Sequence, residues 1–408
     1  MNKIALLRLD SGRHDPLRFE RDRAEFLAPL RQEFELLETN PGEAEPADAE
    51  LHVVFIASGG CEDRFRRLSP RLARPLILLA DGRHNSLPAA LEISAWVRQQ
   101  GETAEIVHGD SALISSRLRR LSDFQRTRRA LAGPIGVIGK PSNWLIASVP
   151  DRSLVKNRWG TKFIDIPLRA LSGPPADAAE AAALANEFAA QAQQLDGVDE
   201  VALTTAARLV PALRSVFRKY RLQAATLRCF SLIDSLRSTG CLALSQLNDE
   251  GLICGCEGDI AAVFSMLLLF ALTGEIPFMA NPAVVDVANK RLLLAHCSVP
   301  RRAVSAYRLQ THFETGLGVG LSGDFAPGAA TVFKAGGHGL DTYFVSGAEV
   351  LPDQPRPGLC RTQVSLQLNE PADYFLRAAL ANHHVLVSGD HAERIDDFMR
   401  HCGAVRVR

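Results

Sequence analysis

The sequence has no excess of charge of either sign: Lys and Arg number 46, and so do Asp and Glu. A binder of nucleic acid or of an acidic membrane needs surplus positive charge against phosphates, so neither partner is expected. Long apolar runs are also missing. The most apolar stretch, 260–272, falls short of the roughly 20 residues that cross a bilayer and reads as a buried helix. The segment Met1-Asn-Lys-Ile-Ala-Leu-Leu-Arg-Leu-Asp10 has neither the apolar region nor the small-residue cleavage site of a signal peptide, and reads as a first strand. The 8 cysteines follow no regular spacing, and a chain of 408 residues needs no disulfide staples. A soluble, reduced, cytoplasmic protein is expected.

Several catalytic signatures are absent as well. There is no Gly-x-Ser-x-Gly, which removes the nucleophile elbow of α/β-hydrolases. Cys254 and Cys256 have no second cysteine pair at zinc-site spacing, so they read as small buried apolar residues. Gly316-Leu-Gly-Val-Gly-Leu-Ser-Gly323 does not sit between a strand and a helix, so it fails as a dinucleotide fingerprint and reads as turn chemistry around Ser322-Gly-Asp324.

What is present is a globular composition, 47% hydrophobic and 23% charged, on a chain too long for one ordinary core. Short apolar runs at 4–9, 52–57, 75–80 and 105–108 alternate with amphipathic stretches such as 87–99. That alternation predicts a parallel sheet with helices on its faces. Ser86 as N-cap with Pro88 in the first turn is a plausible helix start. A break at Leu131-Ala-Gly-Pro134 precedes a second alternating unit, with candidate strands at 135–139, 163–166, 225–229, 252–256, 276–279 and 291–296. Its candidate helices are 176–194, 200–220 and 259–273. Beyond Pro300 the texture turns to Gly, Pro and short β-type runs at 330–335, 342–346, 361–368 and 385–388, closed by a helix over 392–402. The expectation is an α/β protein: two doubly wound parallel-sheet (Rossmann-like) domains at 1–133 and 134–299, then a β-rich domain at 300–408.

Chemistry concentrates at Cys254-Gly-Cys-Glu-Gly-Asp259. An apolar strand ends there in Glu257 and Asp259, and an apolar helix follows at once. Strand C-terminal ends are where open parallel sheets bind ligands. Acidic residues in a first helical turn also serve simply as a cap, and that reading stays open. His296 ends another apolar run, and His383 and His384 precede a third. Adjacent strand residues face opposite ways, so at most one of the two histidines faces any one site. Carboxylate and imidazole together suit a borderline or hard divalent ion.

These residues belong to a wider pattern. Ser58-Gly-Gly-Cys-Glu62, Leu78-Leu-Ala-Asp-Gly-Arg-His-Asn-Ser-Leu-Pro-Ala-Ala-Leu-Glu92, Gly136-Val-Ile-Gly-Lys-Pro-Ser-Asn-Trp-Leu145, Cys256-Glu-Gly-Asp259, Phe278-Met-Ala-Asn-Pro282, Ala295-His-Cys297, Phe325-Ala-Pro-Gly-Ala-Ala-Thr-Val332 and Asn382-His-His384 through Gly389-Asp-His391 occur in that order. The pattern resembles the L-fucose isomerase and L-arabinose isomerase superfamily, in particular its shorter fucose-isomerase-like members. The resemblance implies metal-dependent aldose–ketose isomerisation through an enediol, with Mn²⁺ or another divalent cation as cofactor. Carried over by position, Glu257 is a metal ligand and general base, with Asp259 as a second catalytic carboxylate. His296 and one of His383 and His384 complete the metal set. The family's second metal carboxylate falls at Asn281, whose amide cannot shuttle a proton. That departure keeps open a lyase, epimerase or decarboxylase on a keto-sugar or sugar acid, or a sugar-binding protein without turnover. Lys140, Trp144, Arg228, His312 and His338 are the substrate-binding candidates, with Lys156 beside them. The resemblance further implies a homo-oligomer, a trimer or hexamer, with sites near subunit interfaces.

Overall fold

A computed structural model describes residues 2–43, 46, 48–171, 178–352 and 354–408. Positions 176 and 177, the start of the helix expected over 176–194, lie outside the described residues. The chain divides into two compact units.

The first unit comprises residues 1–127 with 400–403. Its strands are β1 (Asn2–Leu9), β2 (Phe34–Thr39), β3 (Leu51–Ile56), β4 (Leu76–Ala80) and β5 (Ala104–Val107). They form one parallel sheet in the order β2-β1-β3-β4-β5. The order reverses between β1 and β3, the mark of a doubly wound sheet. The interior strand β4 is apolar and buried at every position, as a strand covered on both faces must be. Strand β2, with its mixed Phe-Glu-Leu-Leu-Glu-Thr sequence, was not among the expected strands. The helix Ser86–Gln99 is capped by Asn85 in the left-handed region, not by Ser86. The Ser86 hydroxyl instead donates to Asp81 (2.7 Å) and accepts from the Gly82 amide (2.8 Å), which commits it to closing the preceding loop.

The second unit comprises residues 128–399 with 404–408. Strands β6 (Pro134–Ile138), β7 (Lys162–Ile166), β8 (Leu195–Asp196), β9 (Ala224–Leu227) and β10 (Ile253–Cys256) open it. Four of them make a parallel sheet in the order β10-β9-β6-β7. The remaining strands are β11 (Phe278–Asp286), β12 (Arg291–His296), β13 (Ala306–Gln310), β14 (Gly320–Asp324), β15 (Gly328–Gly336), β16 (Thr342–Leu351), β17 (Thr362–Leu368), β18 (His384–Ser388) and β19 (Val405–Arg406). Six of these run antiparallel as β15-β18-β11-β12-β17-β16, and β15 pairs back onto β16, so the sheet closes into a barrel. Closure leaves these strands no open edge. Strand β8 joins β13 and β14 in a small third sheet.

The runs 276–279 and 291–296 were expected to continue the second parallel sheet. They lie instead in β11 and β12, antiparallel to each other and to β18 and β17. Apolar character identified them as strands, but their partners come from residues beyond 360.

The helix Ile260–Thr273 holds the parallel sheet and the barrel together. Nearly all of its side chains are buried. It packs on β9 and β10 and also on β11, β15 and β18. A helix buried all round must be apolar all round, which is why Ile-Ala-Ala-Val-Phe-Ser-Met-Leu-Leu-Leu-Phe shows no polar stripe. Its first turn therefore lies where the end of β10 meets the barrel.

Candidate active site

The C-terminal ends of three adjacent parallel strands build one wall of the site. β6 runs into the loop around Lys140 to Leu145, β9 into Arg228 and Cys229, and β10 into Glu257 to Asp259. The chain turns sharply after β10. Glu257 has φ 61° and Gly258 has φ 74°, both left-handed. For a glutamate this conformation is strained, and strain of this kind persists only where the surroundings enforce it. Here the Ser142 amide donates to the Glu257 carbonyl at 2.9 Å, and the Gly258 amide donates to the Leu227 carbonyl at 3.1 Å. Gly258 is required by space as well. A Cβ there would lie 2.5 Å from the Lys140 carbonyl oxygen and 2.7 Å from the Pro141 Cα.

The barrel rim supplies the opposite wall. His296 is the last residue of β12, and His383 immediately precedes β18. Strand β11 lies between them, with Ala280 opposite His384 and Asn281 opposite Ala295. Glu257 Oε1 stands 3.5 Å from His383 Nε2 and 3.8 Å from His296 Nε2. All three residues are buried. Their three donor atoms lie within 4.8 Å of one another, the arrangement a metal ion would need.

Hydrogen bonds fix each member. Trp144 Nε1–H donates to Glu257 Oε2 at 2.7 Å. His296 Nδ1 contacts Ser298 Oγ at 2.9 Å. His383 Nδ1 contacts Asp259 Oδ2 at 2.8 Å, while His383 Nε2 is buried with no hydrogen-bond partner among the described residues. A separation of 3.5 Å from Glu257 is too long for a well-made bond. An orphaned imidazole nitrogen facing a carboxylate oxygen, its other nitrogen held by a carboxylate, is the donor chemistry of a cation site. The residues fit such a group.

The electrostatics follow from burial and charge. Burial opposes the charge on Glu257, but His296 and His383 more than offset it and hold the carboxyl well below the usual range. Burial likewise opposes a charged His383, yet Asp259 and then Glu257 lift it to about 9, so a cation binding there would displace the Nε2 proton. Asp259 is also lowered: Lys334 and His383 outweigh its desolvation.

The other sequence-predicted residues divide. Asp259 caps the helix Ile260–Thr273, its Oδ1 accepting from the Ala262 amide at 2.7 Å as the capping reading expects, while its Oδ2 faces His383. His384 turns away from the cluster. Its ring contacts the Tyr374 hydroxyl at 3.0 Å and the Asn382 carbonyl at 2.9 Å. Asn281 lies on the rim strand between the two histidines, but its Oδ1 accepts from Asn382 Nδ2 at 2.8 Å. Trp144 is 53% exposed and meets Phe230 edge-on at 5.1 Å. His312 also meets Phe230 edge-on, at 5.6 Å, and burial, then His296 and Arg361, push its pKa down to about 4. Arg228 holds the loop rather than projecting freely, donating to the Pro141 carbonyl at 2.6 Å and to Asn143 and Ser231. Lys140, Lys156 and His338 are exposed. Cys254 and Cys256 are buried, and Cys256 Sγ lies 2.8 Å from Cys229 Sγ.

Three participants escaped the sequence reading: Lys334, Ser298 and Phe230. A lysine inside Ala-Ala-Thr-Val-Phe-Lys-Ala is the signal that was available for the first. Ser298, two residues past His296, carried no signal of its own.

No family model matches the chain. A sulfoquinovose isomerase from Alkalicoccus urumqiensis is 26% identical over 333 residues, covering 78% of this chain and 74% of that protein. A sulfoquinovose isomerase from Priestia aryabhattai is 24% identical over 336 residues, with the same coverage of 78% and 74%.

Proposed function

We propose that this protein is a metal-dependent sugar isomerase whose reaction takes place at Glu257, His296 and His383. The observation that carries the proposal is the buried, unpartnered Nε2 of His383 facing Glu257 and His296. The curated relatives, each named a sulfoquinovose isomerase, support the sugar isomerase class.

Aldose–ketose interconversion moves one proton between C2 and C1 and another between the two oxygens, with no external oxidant. Glu257, His296 and His383 would hold a Mn²⁺-type ion, which when bound polarises the sugar carbonyl as a Lewis acid. Glu257 is the group assigned to the carbon-bound proton, because it is the ionised carboxylate at the strand end. The Trp144 donation fixes Oε2 and leaves Oε1 turned toward the imidazoles. His312, which burial pushes down to about 4, is neutral near pH 7 and suited to hydrogen-bond a sugar hydroxyl. The Trp144 and Phe230 rings offer an apolar face to the sugar.

One observation weighs against a second reading, epimerisation through the same enediol. Asn281 stands where a second carboxylate would allow two-base proton transfer, and its amide oxygen is already engaged by Asn382. Incubation of the purified protein and Mn²⁺ with sulfoquinovose and a panel of uncharged aldoses separates the readings. Ketose product supports isomerisation; an aldose epimer with no ketose supports the second reading.

A further inference from the structure

Lys334 is an ammonium group where the packing calls for none. It lies in β15 among Val332, Phe333 and Ala335, is fully buried, and its Nζ has no hydrogen-bond partner among the described residues. Its opposite charge is Asp259, with Nζ 4.0 Å from Oδ1. A buried cation with so little compensation is costly, and an apolar residue of the same length would fill the space. His384 does not share the task, because its two ring nitrogens are already engaged by Tyr374 and Asn382.

Asp259 shows what the charge serves. Capping a helix does not require a carboxylate, since asparagine caps equally well. The second oxygen of Asp259 is turned to His383 Nδ1 at 2.8 Å, and His383 Nε2 in turn faces Glu257 Oε1 at 3.5 Å. Lys334, Asp259, His383 and Glu257 thus form one line of alternating charge and imidazole through the interior.

We propose that Lys334 is a positioning residue: its buried ammonium holds the Asp259 carboxylate as acceptor for His383 Nδ1–H, which keeps Nε2 aimed at the metal position beside Glu257. The inference rests on the metal reading of the cluster. The probe is MnCl₂ alone, titrated calorimetrically into the wild type, Lys334→Met, Asp259→Asn and the double variant, with circular dichroism on each. Lys334→Met is expected to fold with a lowered melting temperature, since it leaves the buried Asp259 carboxylate with His383 alone, and to bind Mn²⁺ roughly tenfold to a hundredfold more weakly. Asp259→Asn, which keeps the helix cap, is expected to weaken binding comparably. The double variant is expected to bind no worse than Asp259→Asn, because Lys334 acts through Asp259. Folded Lys334→Met with wild-type affinity, or losses that sum in the double variant, would overturn the inference and leave the metal reading standing. If Lys334→Met does not fold, Asp259→Asn decides: wild-type affinity overturns the inference, weakened binding supports it. A wild type that binds no Mn²⁺ overturns both.

Discussion

Glu257 is constrained from three directions, by a left-handed backbone, an indole donor and two imidazoles. Removing the indole donor while keeping the ring isolates one of these. Trp144→Phe is expected to leave stability unchanged, because the side chain is half exposed, and to lower kcat about tenfold to a hundredfold, since a hydrogen bond to a charged group contributes about 1.5–3 kcal/mol. Unchanged kcat in Trp144→Phe would show that the donation is incidental. Gly258→Ala tests the backbone. It combines a left-handed φ with a Cβ driven onto the Lys140 carbonyl, so a loss of at least about 2 kcal/mol is expected in denaturant unfolding. At this scale the sequence was informative where chemistry is carried by unusual residues at strand ends, which singled out Glu257, His296 and the His383–His384 pair. It was silent on Lys334. A single lysine in a strand ordinarily points to solvent, and the carboxylate that explains it comes from a different element. It also left the choice between His383 and His384 open, because that choice depends on the register of β18 against β11.

The helix Ile260–Thr273 is the element on which the site depends, since its cap residue is Asp259 and its body packs on both the parallel sheet and the barrel. Phe264 is fully buried in it and meets Trp159 at 5.3 Å between ring centroids. Phe264→Ala is expected to cost about 3–5 kcal/mol in chemical unfolding. A loss below about 1 kcal/mol would mean that this helix is not the core it is drawn to be. The sequence identified the helix readily, because no other stretch is so uniformly apolar. It did not show that β11 and β12 belong to the barrel. Strand character is local, whereas pairing is decided by segments far along the chain, here β17 and β18.

At the scale of the whole molecule, each unit carries features of its own. In the first, Glu105 receives His401 Nδ1 at 2.9 Å and Arg117 at 2.9 Å. Burial opposes its charge, but these partners bring its pKa down to about 2. A carboxylate depressed on folding stabilises above its unfolded pKa and loses that contribution as pH falls from about 4.5 toward 2. The contribution is on the order of 2 kcal/mol after allowance for partial exposure. Glu105→Gln is therefore expected to flatten the acid limb of the melting-temperature profile, and an unaltered profile would count against it. In the second unit, Trp144, Ile146, Val149 and Leu154 leave apolar surface exposed. The homo-oligomer that the family resemblance implies would be tested by light scattering; a monodisperse monomer would contradict it. No helix among the described residues is long and apolar enough to cross a membrane. The parallel sheet of the first unit was legible because strand and helix alternate within short spans, whereas the barrel, built from non-local pairs, was legible only as β-rich. The central claim is that Glu257, His296 and His383 carry an enediol-type sugar isomerisation, and one measurement bears on it most directly. Sulfoquinovose and Mn²⁺ are incubated in D₂O with the wild type and with Glu257→Gln, and the sugar is followed by NMR. The account predicts ketose formation with deuterium entering at C1 or C2 in the wild type and neither in Glu257→Gln. Ketose formation at an undiminished rate in Glu257→Gln would contradict it.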